Sequence, residues 1–230
     1  MLSRALVLKV AEWPAFKNWI KHSRMTRGLV ERFIAGEDLE TAIRVTQNLN
    51  QQGFAVALDY LGEDTTRPED AENAARQYIL LLEKIAETGV NACISIKLTQ
   101  LGLDLGYDLC KANLECVLKT ARDLGNFVWI DMESSKHTDG ILSLFCEMFP
   151  RYPNTGTVLQ TYLYRTPRDM ERLLELGARI RLVKGAYAEP PSVAYRFKRE
   201  VDRQFWILME ELLRRGKEPA IATHDRRLIR

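Results

Sequence analysis

The chain has 230 residues, 46% hydrophobic and 28% charged, and its 33 basic and 31 acidic side chains leave a net charge of +2. That length and apolar content can bury a sizeable core, and the lack of a basic block interleaved with aromatics argues against a nucleic-acid partner. No window reaches about 18 uninterrupted apolar residues, so no membrane span is expected.

The N-terminal stretch MLSRALVLKVAEW is only briefly apolar and is broken by Lys9. It lacks the long core and small-residue cleavage site of a signal peptide. Residues 1–52 read as a helical arm. Leu29, Val30, Phe33 and Ile34 recur at one-turn spacing, and Leu39, Ala42, Ile43, Val45 and Leu49 extend the pattern to Gly53, which is expected to close the helix.

From 53 to 230, strand-like and helix-like segments alternate. FAVALDYLGE (54–63) opens the series, and PEDAENAARQYILLLEKIAETG (68–89) follows as an amphipathic helix, with Pro68 at its start and Gly89 just past its end. ISIKLTQLG (94–102) precedes a helix over 105–125, and VWIDMESS (128–135) precedes one over 136–149. TVLQTYLYR (157–165) leads to a helix expected to have Thr166 as its cap, Pro167 at its first position and Gly177 at its end. IRLVKGAY (180–187) is followed by a helix over 192–216 closed by Gly216, and AIATHD (220–225) is the sixth strand. Cys93, Cys110, Cys116 and Cys146 form neither a CxxC pair nor a metal-like cluster with histidine, which suits small buried thiols in a reducing, cytosolic compartment.

Strands alternating with helices imply a parallel sheet with right-handed crossovers. Each apolar run ends in polar or charged residues that a buried strand does not need, and in a β/α barrel the carboxyl ends of the strands build the active site. The doubly wound alternative normally has a glycine-rich first turn. Here that turn is LDYLGED, with one glycine, and no GxGxxG or Walker pattern occurs. The expected fold is α/β of the (βα)8 TIM-barrel type, with about six units in this chain behind the N-terminal helices.

Lys97 shares the period-2 face of ISIKLTQ with Ser95 and Thr99, which points it into the barrel mouth. A desolvated lysine must find an anion, from the protein or from a ligand. Asp131, at matching depth on the next strand and on one face with Phe127 and Trp129, is the expected partner. The Gln160 amide can serve the edge of a flat heterocycle or a barrel-lining hydrogen bond. Arg181, always cationic, can stabilise negative charge on a reduced cofactor. Lys184 can be a Schiff-base lysine, and Gly185-Ala186 lets a ligand approach the backbone. His224, between Thr223 and Asp225, is a candidate ligand contact, whereas His22 and His137 read as surface residues.

The blocks SIKLTQLG, WIDMESS, VLQTYLYR, RLVKGAY and AIATHD, in this order and spacing, resemble the signature of the proline dehydrogenases of the monofunctional bacterial type. The resemblance spans essentially the whole chain. It implies a distorted barrel with FAD at its carboxyl face and hydride transfer from C5 of L-proline to flavin N5, giving Δ1-pyrroline-5-carboxylate. Electrons then pass to a membrane quinone, so a cytoplasmic enzyme in peripheral contact with the inner face of the membrane is expected. By the resemblance, Lys97 holds the substrate carboxylate, Asp131 positions that lysine, Arg181 sits against the flavin N5 region, and Tyr187 lines the proline pocket. The Met132 backbone, Gln160, Lys184, Gly185, Ala186, Thr223 and His224 would bind FAD.

The family pattern continues past ATHD with two more strands and a final helix, whose arginine pair and tyrosines close the proline pocket. This sequence stops at LIR, so a C-terminally truncated member is expected. Two other readings stay open. One is an aldolase-like barrel lyase using Lys184. The other is an inactive fragment that depends on a partner chain or on self-association to cover open barrel edges.

Overall fold

The computed structural model describes residues 35–229 except 37, 63 and 64. The expected helix around Leu29–Ile34, the N-terminal stretch and His22 lie outside the described residues. The chain forms two compact units, one ending at Ala55 and the other beginning at Val56.

In the first unit, α1 (Leu39–Gln51) starts where Asp38 accepts the Thr41 N–H at 2.8 Å, which satisfies an amide the first turn would leave bare. The helix closes at Gln52, and Gly53 follows at φ 87°.

The second unit alternates as the sequence predicts. In chain order come β1 (Val56–Asp59), α2 (Pro68–Thr88), β2 (Ala92–Ile96), α3 (Tyr107–Asp123), β3 (Val128–Ile130), α4 (Thr138–Met148), β4 (Thr155–Gln160), α5 (Thr166–Glu175), β5 (Arg179–Val183), α6 (Lys198–Arg215), β6 (Ala220–Ile221) and α7 (Arg226–Ile229). The strands form one parallel sheet in sequential order, the arrangement of a TIM-type barrel wall. Outward-facing Ile94, Ile96, Ile130, Ile180 and Leu182 are fully buried. Each such side chain stabilises the fold by about 1.5–3 kcal/mol.

The sheet is curled. Three strand spacings would separate β2 from β5 by about 14 Å in a flat sheet, further than an arginine and a serine reach together. Yet Arg181 Nη2 on β5 donates to Ser95 Oγ on β2 at 2.9 Å. The concave face therefore brings residues of distant strands to one point. Gly156 on β4 makes room for that face's largest ring: a Cβ there would lie 2.6 Å from Trp129 Cζ3 and 2.9 Å from Phe127 Cζ. The Trp129 and Phe127 rings meet edge to face at 5.0 Å between centroids.

Four local expectations need correction. The run 94–102 is strand only as far as Ile96; beyond it the chain turns, because the Thr99 N–H goes to the Glu133 carboxylate at 3.1 Å instead of a neighbouring strand. The last long helix begins at Lys198 and not at 192, since residues before it bond to the β4–α5 connection, with Tyr164 N–Val193 O at 3.0 Å and Tyr195 N–Tyr162 O at 2.8 Å. Gly216 ends it with φ −75°, in extended conformation. Thr166 is the first helical residue and no cap; its hydroxyl donates to the Gln160 carbonyl at 2.5 Å. Of the four thiols, Cys110 is buried, Cys93 and Cys146 are half-buried, and Cys116 is exposed.

Candidate active site

The carboxyl ends of β1, β2, β3 and β5 supply a linked set of charges. Lys97 follows β2 directly, and its ammonium donates to Asp59 at the end of β1 and to Asp131 Oδ2, just past β3, at 3.3 Å. Asp131 Oδ1 takes the Ser95 hydroxyl at 2.7 Å and also the Arg181 guanidinium. Arg181 in turn lies over the Trp129 ring at 5.1 Å, a cation–π contact that orders the guanidinium from below. Side-chain exposures of 15% for Lys97 and 19% for both Asp131 and Arg181 mark a cluster largely shielded from bulk water. Burial alone would lower the Lys97 ammonium; the hydrogen bond and charge of Asp59, joined by Asp131, outweigh it and raise the group above its ordinary value, so the lysine stays cationic.

The expected Lys97–Asp131–Arg181 grouping is thus assembled, with Asp59 added. Asp59 is the first acidic residue within LDYLGED, and the sequence alone gives it no role. Ser95 was legible as a neighbour on the Lys97 face. Tyr78 had no signal, since an aromatic in an amphipathic helix reads as core. It is fully buried in α2, and its hydroxyl lies 2.9 Å from both Asp59 Oδ1 and Gln100 Oε1. Burial pushes this phenol far above its usual range, so it remains a donor. Tyr78→Phe is expected to lower the unfolding free energy by about 1–3 kcal/mol, the cost of orphaning buried acceptors. A urea unfolding curve shifted by less than the error of its midpoint would show that the hydroxyl is dispensable.

A second cluster forms at the ends of β5 and β6. Lys184 Nζ donates to Asp202 Oδ1 on α6 at 2.6 Å and to Asp225 Oδ2 at 2.9 Å. Hydrogen bonds from Lys184 and Lys198 hold the Asp225 carboxyl well below the usual range. Thr223 is half-buried and accepts the Asp225 N–H at 3.1 Å, while His224 is exposed. Gly185 has φ 105°, Ala186 is exposed and Tyr187 half-buried. Met132 is buried in the loop after β3. Gln160 is buried too, and its amide NH2 goes to the Glu133 carbonyl at 2.7 Å, the barrel-lining alternative of the two readings above. His137 is no surface residue: it is 10% exposed, with Nδ1 3.1 Å from Ser134 Oγ and Nε2 3.0 Å from Asp104.

A curled parallel sheet with a lysine, an arginine and two aspartates converging toward its carboxyl ends is the arrangement of a barrel-type enzyme. Residues 42–229 match the family model described as proline dehydrogenase. The chain is 37% identical over 204 residues to proline dehydrogenase 1 of Bacillus subtilis (strain 168), covering 89% of this chain and 68% of that protein. It is also 37% identical to a proline dehydrogenase of Deinococcus radiodurans, over 99% of this chain and 74% of the relative. The crystal structure of proline utilization A (PutA) from Bdellovibrio bacteriovorus inactivated by N-propargylglycine superposes with a TM-score of 0.80 at 25% identity; it covers 96% of this chain, which spans 28% of that one. The chain belongs to the proline dehydrogenase family.

Proposed function

We propose that the barrel region from residue 53 onward oxidises L-proline to Δ1-pyrroline-5-carboxylate, with FAD as the hydride acceptor and a quinone as the final electron acceptor. Residues 1–52 take no part in the chemistry in this reading. The observation that carries the proposal is Lys97, kept cationic between Asp59 and Asp131 at the mouth that also presents Arg181, in a chain of this family.

Lys97 binds the substrate carboxylate with its remaining donor capacity, and Asp59 and Asp131 fix its position. Tyr187 lines the pocket beside it. Arg181, held by Asp131 and Trp129, offers a permanent positive charge where electrons arrive. FAD would be held by Arg181, Thr223 and His224 and by the Met132 and Gly185-Ala186 backbones, with Lys184, bonded to Asp202 on α6 and to Asp225, on the β5–β6 side of that set. Gln160 contributes through its place on β4, its NH2 being engaged with Glu133. FAD held there would supply a two-electron acceptor for the hydride from C5 of L-proline, and the substrate nitrogen would give up a proton as the C=N bond forms. A quinone acceptor implies work at the membrane surface from the cytoplasmic side; no described helix is long and apolar enough to cross a membrane.

Lys184 is a doubly paired ammonium, the opposite of the unpaired amine a Schiff-base lysine requires. The deciding measurement is the visible spectrum of purified protein supplied with FAD. A flavin band that bleaches on addition of L-proline is expected. A colourless protein that borohydride traps on a carbonyl compound through Lys184 would overturn the proposal.

A further inference from the structure

Two loops border the proposed cofactor face, and one carboxylate joins them. The first follows β3 and contains Met132, Glu133, Ser134 and Ser135. The second follows β5 and contains Lys184, Gly185, Ala186 and Tyr187. Glu189, half-buried, accepts the Ser135 backbone N–H at Oε1, 2.7 Å away, and the Ser135 hydroxyl at Oε2. The two residues are 54 positions apart in sequence, so the contact is a tertiary staple and no local turn. A carboxylate that takes two donors from one residue fixes orientation as well as distance, and charge-assisted bonds of this kind are about twice as strong as neutral ones.

The arch between Lys184 and Glu189 is well placed to need such a staple. On one side the Lys184 carbonyl takes the Tyr162 N–H at 3.0 Å. On the other, residues 190–195 are bound to the β4–α5 connection through Tyr164 N–Val193 O and Tyr195 N–Tyr162 O. Between these anchors the chain passes through Gly185 at φ 105° and then tightens, with the Glu189 N–H on the Tyr187 carbonyl at 3.1 Å. The Glu189 side chain therefore sets where the turn carrying Ala186 and Tyr187 comes to rest relative to Met132. The β3 loop is itself braced on its far side, since Ser134 contacts His137 and His137 contacts Asp104. The staple thus ties the β5 loop to an already anchored neighbour.

We infer that Glu189 is a positioning residue, whose paired hydrogen bonds to Ser135 hold the Lys184–Tyr187 segment in register with the Met132–Ser135 segment so that the two loops grip one ligand between them. The inference rests on the functional reading above, in which both loops contact FAD or proline. Glu189 touches neither ligand in this account; it acts through the residues it orders.

The test compares Glu189→Ala and Glu189→Gln with the unmodified chain. Hydrogen–deuterium exchange of ligand-free protein, read by mass spectrometry, is expected to show peptides covering 134–136 and 184–190 exchanging about 10–100-fold faster in Glu189→Ala, the loss of one strong local anchor, with α6 unchanged. The FAD dissociation constant and the KM for L-proline are each expected to rise about tenfold, with kcat less affected. Glu189→Gln is expected to restore most of both, because its amide oxygen still accepts the Ser135 N–H and its NH2 can donate to the Ser135 hydroxyl. Unchanged loop exchange, faster exchange throughout the protein, or faster loop exchange with unaltered FAD and proline constants would each overturn the assignment, as would a Glu189→Gln variant no better than Glu189→Ala. An unmodified chain that neither binds FAD nor oxidises proline refutes the functional reading instead, and the exchange of ligand-free protein then still decides whether Glu189 holds the arch.

Discussion

Replacing Gly185 by alanine is expected to lower the unfolding free energy by roughly 4 kcal/mol. Two independent costs add. At φ 105° the backbone lies where side chains are rarely found, a strain of about 1–3 kcal/mol. A Cβ built there falls inside hard contact with Cδ1 and Cε1 of Tyr162, with Cζ at 2.7 Å. Overpacking of this sort costs about 1–3 kcal/mol. Tyr162 cannot step aside cheaply, because its ring is buried with Leu163 and Ala194, and its backbone N–H is bonded to the Lys184 carbonyl. For a domain of this size the thermal midpoint is expected to fall by about 2–4 °C per kcal/mol, which differential scanning calorimetry resolves. A midpoint within about 2 °C of the unmodified protein would mean that the segment relaxes freely and that the close approach is of no structural weight.

Replacing Lys97 by alanine is expected to reduce kcat/KM for L-proline by about 10²-fold or more, chiefly through KM. About 10- to 150-fold of this follows from the loss of one charged hydrogen bond to the substrate carboxylate, about 1.5–3 kcal/mol. A further loss comes from within the site. Without the ammonium, Asp59 loses its cationic partner and Asp131 keeps only Arg181 and Ser95, so the substrate carboxylate approaches a mouth with one cation fewer. The fold is expected to survive, because Lys97 lies beyond the last paired residue of β2 and outside the apolar layer. Steady-state kinetics alongside a near-ultraviolet circular dichroism spectrum separate the two effects. A native spectrum with an unaltered KM would remove Lys97 from the substrate site.

Much of this arrangement was readable from the chain alone, for physical reasons that also explain the failures. Alternation of apolar strands with amphipathic helices predicts a parallel sheet, and period-2 counting turns Lys97 into the barrel mouth with Asp131 as its partner. Counting along a strand does not say how far the sheet curls, and so could not foresee Arg181 reaching Ser95 across three strand spacings. It also treats a run of apolar residues as strand until composition changes. The sequence ISIKLTQLG carries no mark that Glu133 will claim the Thr99 amide and turn the chain after Ile96. Similarly, 192–197 has a helical composition but is held by backbone groups of the β4–α5 connection, at Tyr162 and Tyr164. Asp59 ended the first strand in plain view. Its role needed the neighbour-to-neighbour register Asp59–Ser95, which brings it alongside the chain leading to Lys97.

Gly156 has a reach that its own contacts do not suggest. The space it leaves is filled by the Trp129 ring from the neighbouring strand, and that ring is the surface on which the Arg181 guanidinium rests. A vacancy on β4 therefore sets the direction of a cation on β5 by way of an aromatic on β3. Two restraints of different physical kind act on Arg181. Its pairing with Asp131 weakens as mobile ions crowd the mouth, but its contact with the indole face depends on shape and a fixed quadrupole. The guanidinium of this site can keep its aim under ionic conditions that loosen an ordinary salt bridge, because one residue elsewhere in the barrel wall has no side chain.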